Sequence, residues 1–239
     1  MTGIIIAIVI LAVILTFWKV FSRPRVPEEI SADLKAVLTL MGQFMRVSSA
    51  PERVCTVLDM REAKELGVQI PLCAQRPAGN SLQPDVDSQK IAGYAHLLEK
   101  EFMGDTEMLG KELATALNSE KHKALAIFCM KVLLVDDKVQ ASSLQLLEGL
   151  VKGMGMDEEW FRQTLLKSIP VERLDANEDI TPLFLGLHSL ANDNEKKAYL
   201  TRMYLTWNPV STNCDPLKSS RAKAILRLVK SCRAKLERQ

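Results

Sequence analysis

Residues 3–18, GIIIAIVILAVILTFW, carry no charge, and the apolar run continues past Lys19 to Phe21. Beyond a short polar stretch the pattern changes: apolar side chains return every three or four residues, the spacing that puts them on one face of a helix. Ile30, Leu34, Val37, Leu38, Met41, Phe44 and Met45 form such a face, which ends near Ser48 and Ser49. Pro51 opens a second helix where its missing N–H is harmless, and Gly67 terminates it. Ile70 to Asp87 holds three prolines and few strand formers, and reads as a loop or hinge.

Helices are then predicted over 88–103, 106–118, 120–135, 142–153, 158–168, 182–191 and 194–206. Asp105, Ser119, Ser142, Asp157, Thr181 and Asp193 are the N-cap candidates. Ser142 with Gln145 matches a capping box, and Pro182 suits a first helical turn. No run alternates with the strand period, so the expected fold class is all-α. The 120–135 helix should be the most buried, because Ala124 to Val135 carries only Lys131 as a charge.

The amino-terminal run has the length of a membrane span, which takes about 20 mainly apolar residues to cross about 30 Å of hydrocarbon. Residues 2–21 are read as a transmembrane anchor, with Ile4, Ile8, Leu11, Leu15 and Trp18 along it. Lys19, Arg23 and Arg25 follow on the carboxyl side only. The positive-inside rule then places the amino terminus outside and the rest in the cytoplasm, as in a single-pass inner-membrane protein. A cleaved signal peptide would want a charged start and a small-residue cleavage site, and neither is there. Residues 22–29, rich in proline, form a juxtamembrane linker; 30–69 is a helical pair, 70–87 the hinge, 88–210 a helical domain, and 217–239 a final helix.

Composition changes this picture little. The net charge is +2, so attraction to anionic partners has to come from local clusters. The five cysteines (Cys55, Cys73, Cys129, Cys214 and Cys232) include no C-x-x-C pair, which excludes a zinc ribbon or a thioredoxin-like motif. Free thiols suit a reducing compartment.

Catalytic signatures fail on inspection, so no enzyme activity is expected. Gly104 to Glu112 has five residues between its glycines and Glu112 in place of the hydroxyl that a phosphate-binding loop requires. His96, His122 and His188 lack partners at metal-ligand spacing. Asp136 and Asp137 are the strongest candidates for chemistry. Counting from Asp137 puts Glu148 at the twelfth position of a calcium loop, but Val139, Ala141 and Ser142 stand where oxygen ligands and the turn glycine belong.

The order of an apolar helix, VDDKV, a hydroxyl-initiated helix and GMGMDEEWFRQTL resembles the tellurite-resistance TerB-like family over residues 119–168. Asp136 matches that family's first acid and Val139 its apolar position, while Asp137 stands where glycine is usual. Ser189 to Leu205 resembles a shorter second copy. The resemblance implies an all-helical accessory module of membrane or stress-response systems, some of whose members bind metal through acids at this turn. Gln140 to Gln145, QASSLQ, replaces the further acids, so a divalent-metal site carried over would keep only Asp136 and Asp137. Membrane-anchored cochaperones also join an anchor to a TerB-like domain. This chain has no His-Pro-Asp, so their activity is not implied.

Pro216 to Gln239 has eight basic residues and one acid. Ile225, Leu228, Val229, Cys232 and Leu236 share one face, while Arg221, Lys223, Arg227, Lys230 and Arg233 make the tail basic. Three uses stay open: packing on the domain, a partner helix or homo-oligomer contact, and binding of anionic lipid. Nucleic acid is disfavoured by the lack of aromatic stacking residues. The leading expectation is therefore a membrane-anchored helical interaction or scaffold module with a protein partner. The alternatives are a metal-dependent sensor or enzyme built on Asp136 and Asp137, and a lipid or nucleic-acid binder using the tail.

Overall fold

The computed structural model describes residues 31–58, 66, 86–174 and 180–238. The anchor at 2–21, the linker at 22–29 and nearly all of the hinge at 70–87 lie outside the described residues, and no described helix is long and apolar enough to cross a membrane.

The fold is all-helical, as the periodicity requires. It runs α1 (Ala32–Val47), a short α2 (Pro51–Val54) continued by a 3-10 turn, α3 (Val86–Glu101), α4 (Thr106–Ala116), α5 (Ser119–Leu133), α6 (Ala141–Gly153), α7 (Glu158–Ser168), α8 (Thr181–Leu185), α9 (Asp193–Val210) and α10 (Pro216–Glu237). One parallel bridge, Val139 with Leu174, is the sole strand-type pairing among the described residues.

The deepest helix is α1, not the 120–135 helix. Every residue from Ala36 to Phe44 is buried, because α2, α3, α4 and α6 all pack around α1. Its polar side chains are satisfied locally: Thr39 Oγ1 donates to the Lys35 carbonyl at 2.9 Å, and Gln43 Oε1 accepts from Arg46 at 2.8 Å. α5 buries Leu125, Ala126, Phe128, Cys129 and Met130 against α6 and α7, yet Lys123, Ile127 and Lys131 are exposed. Sparse charge along a sequence does not fix how many neighbours a helix meets.

α4 and α6 cross at backbone contact. Gly110 on α4 faces Gly153 on α6, and a Cβ at either position would collide with main-chain atoms of the other helix. Gly149 of α6 lies against the Thr106 side chain, whose Oγ1 a Cβ there would meet at 2.7 Å. α9 and α10 pack side by side, joined by a short link at 211–215.

The helix ends obey capping chemistry, though not always at the expected residue. Asp105 accepts from the Met108 N–H at 2.8 Å, and Asp157 from those of Glu159 and Trp160. The caps expected at Ser119 and Asp193 are instead Asn118 and Asn192, each one residue earlier. Asn192 forms a reciprocal box, since Glu195 reaches back to the Ala191 N–H at 3.0 Å. Ser142 and Thr181 do not cap. α6 starts earlier because the Val139 N–H, bonded to the Arg173 carbonyl, sets the chain's direction, so Ser142 is already inside the helix. The expected 182–191 helix breaks at Gly186, whose φ of 78° stops α8 before a 3-10 turn at Leu187–Ser189.

The described cysteines form no disulfide, and of these four only Cys214 is exposed. Burial pushes the Cys55 thiol up to about 12 and raises Cys129 as well. A thiol reagent under native conditions should therefore label Cys214 rapidly, and Cys55, Cys129 and Cys232 only after denaturation. The unfolded chain loses the Cys55 proton first as pH rises. Stability should fall between about pH 9 and 12, and a Cys55→Ser variant should lose this component in alkaline melting curves.

Candidate functional site

The acidic turn is a long-range joint. Asp136 is 5 % exposed, and its Oδ1 accepts from Ser48 Oγ (2.6 Å), Ser49 Oγ (3.0 Å) and the Ala50 N–H (3.1 Å). Those donors form the link between α1 and α2, so one carboxylate oxygen ties that link to the turn after α5. On the other side Arg173 donates to the carbonyls of Asp137 (3.1 Å) and Leu134 (3.3 Å). Lys138 Nζ and the Val139 N–H, each at 2.6 Å, donate to the carbonyls of Glu172 and Arg173.

Asp137 itself is exposed. Among the described residues no three His, Cys, Asp or Glu side chains converge to hold a metal ion. A divalent cation on Asp136 Oδ1 would have to displace three hydrogen-bond donors from that oxygen. His96 is exposed, the His122 ring lies 3.2 Å from the Leu117 carbonyl, and His188 joins the cleft described next.

A cleft of about 480 Å³ opens between the start of α4, one face of α6, α7 and the turn after α8. Gln145, Glu148, Gly149 and Lys152 line it from α6 at helical spacing. Glu148 is largely buried and paired twice: Arg162 of α7 lies 2.7 Å from Oε1, and His188 Nε2 lies 2.9 Å from Oε2. Arg162 is held by the carbonyls of Leu183 (3.0 Å) and Phe184 (3.1 Å) at the end of α8. A Cβ on Gly186 would lie 2.7 Å from Arg162 Nε, so this position needs glycine for space as well as for its φ.

At the far end Glu107 is paired with Lys152 (2.7 Å) and Lys111 (3.1 Å). Hydrogen bonds from Lys152 and then Lys111 hold its carboxyl below the ordinary range, so this contact weakens as acid protonates Glu107.

Glu107 and Glu148, two of the four carboxylates lining the cleft, thus each meet two basic side chains. Glu148 and His188 could orient a proton transfer, but the neighbouring hydroxyl of Ser189 donates to the Gly186 carbonyl at 3.0 Å. What the arrangement does chemically is fix α4, α6, α7 and α8 in register. Glu148→Ala should cost about 2 kcal/mol in urea unfolding, because it strands Arg162 among carbonyls. His188→Ala, at a side chain 45 % exposed, should stay within about 0.5 kcal/mol. Sequence reasoning met Glu148 only as the last position of a calcium loop that fails and His188 only as a histidine without a partner at metal-ligand spacing, and missed Arg162 altogether.

The basic tail forms α10. Ala222, Ile225, Leu226, Val229 and Cys232 are buried against the domain, with Leu228 and Leu236 half-buried. Lys223, Arg227 and Lys230 are exposed, while Arg221 and Arg233 are half-buried. The buried stripe is displaced toward Ala222 and Leu226 because α10 packs on α8 and the 171–173 turn as well as on α9.

Comparison with known proteins finds no matching family model, no similar curated protein and no similar solved structure. The fold and its sites define the class: an all-α domain braced by long-range polar joints, with a cationic helix on its outer side.

Proposed function

We propose that this chain is a membrane-tethered helical interaction module that recognises an acidic protein surface through the outward face of α10. One observation carries the reading. The apolar stripe of α10 is occupied by its own domain, so Lys223, Arg227 and Lys230 remain exposed on a helix that needs no partner to be buried. Leu205 and Leu217, on the same helical pair, are exposed as well.

The uncharged residues 3–18 supply the tether, and the basic residues after them orient the module toward the cytoplasm. The absence of a disulfide among the described cysteines accords with that compartment. The TerB-like resemblance of residues 119–168 supports the same reading, since that family implies an accessory module.

The test is a gentle-detergent pull-down of the full-length protein against its Lys223→Glu, Arg227→Glu, Lys230→Glu variant. A stoichiometric partner should be recovered by the native protein, released by salt and lost from the variant, with thermal unfolding unchanged. An identical set of captured proteins would refute the role of α10. Salt-sensitive binding of the native protein to anionic vesicles, lost from the variant and with no protein partner recovered, would shift the reading to lipid.

A further inference from the structure

A groove of about 530 Å³ lies away from the charged cleft, walled by Gln163 and Lys167 of α7, Thr206, Trp207 and Val210 of α9, and Lys218 and Arg221 of α10. Its size is that of a small-molecule site. Two further features distinguish it from an ordinary surface crevice.

The first is charge: three cations and no carboxylate line it. Lys218 lies 3.6 Å from Asp215, whereas Lys167 and Arg221 form no ion pair among the described residues. The second is a buried donor. Trp207 is 5 % exposed, and its indole Nε1–H is the one buried side-chain polar atom among the described residues without a hydrogen-bond partner. A polar group shut away from water in this state is rare unless something else completes it. The other polar wall residues are engaged: Gln163 Nε2 donates to Glu159 at 3.0 Å, and Thr206 Oγ1 to the Arg202 carbonyl at 3.0 Å.

From the apolar wall, the unmatched cations and the unpartnered donor, we propose that this groove binds a small amphipathic organic acid. The apolar body lies against Trp207 and Val210, and the anionic head is held by Lys167 and Arg221. An acceptor oxygen reaches the indole N–H as the ligand settles between α7, α9 and α10. A free ligand fits better than a bilayer surface, because the site is concave and Trp207 forms part of its wall, where a flat headgroup layer does not reach.

Octanoate is the probe, added to the full-length protein in zwitterionic nanodiscs, with octanol as the uncharged control. The readout is the indole N–H resonance of Trp207, identified among the three tryptophans by its absence in Trp207→Phe. Octanoate should shift that resonance saturably and octanol should not. The double variant Lys167→Gln, Arg221→Gln, altered only at the groove's rim, should bind octanoate about tenfold more weakly. The proposal is overturned by an unmoved resonance, by an equal response to octanol, or by unchanged affinity in the double variant. It is equally overturned if the shift follows protein concentration alone, which would make a second copy the occupant, or appears only with anionic phospholipid in the disc.

Discussion

Asp136→Ala should lower the unfolding free energy by about 3 kcal/mol, read from urea denaturation with an unchanged slope. The substitution removes one oxygen that serves three donors, two seryl hydroxyls and the Ala50 N–H. Ser48 Oγ also accepts from that N–H at 3.0 Å, so the backbone donor keeps one partner, while the Ser48 hydroxyl loses its acceptor at a half-buried position. Asp136→Asn keeps an oxygen and should cost about 1 kcal/mol.

Asp137→Ala should lie within about 0.5 kcal/mol, since only the backbone of Asp137 is engaged. The metal reading predicts otherwise for this pair. It requires both acids to matter and a chelator to lower the melting temperature, whereas the joint predicts a strong asymmetry and no chelator effect. A chelator-sensitive melt together with equal losses at both acids would reverse the assignment.

Gly153→Ala should cost about 3 kcal/mol even though alanine is the better helix former. A Cβ there overlaps the Glu107 carbonyl oxygen and lies 2.9 Å from the Gly110 Cα. Both are backbone atoms, so no rotamer change relieves the collision and α4 must move away from α6. That movement would also separate Glu107 from Lys152 and open the charged cleft. Gly155→Ala is the control. Its φ of 63° is unfavourable for alanine, but nothing lies within 4 Å of the added carbon. About 1 kcal/mol is expected there, the cost of the left-handed conformation alone. Equal losses at the two glycines would show that the crossing is looser than backbone contact.

How much of this was legible beforehand follows the range of each interaction. Helical periodicity located α4, α5, α6 and α7 closely, because the apolar spacing of one face is local information. Caps were legible as chemistry but not always as position. Asn118 and Ser119 are both capable residues, and where the preceding chain leaves off selects between them.

The depth of α1 was not legible. Its sequence looks amphipathic enough for a surface helix, and only the simultaneous approach of α2, α3, α4 and α6 buries it on all sides. The tail gave its helix and its charge to inspection, while the choice of buried face depended on α8 and α9. The crossing of α4 and α6 left one faint sign, the spacing of Gly149 and Gly153 in GLVKG, whose partner Gly110 lies far back in the chain.

Sequence alone thus determined the all-helical class, most helix positions, the uncharged amino-terminal run and the basic tail. Each depends on residues a few positions apart. Tertiary structure alone decided that Asp136 answers to serines 87 and 88 residues away, that Glu148 is shared by Arg162 and His188, and that Trp207 keeps an unpaired donor beside three cations. A side chain's type states what it can bond to. Which atoms come within 3 Å is set by the packing of helices that are distant in the chain.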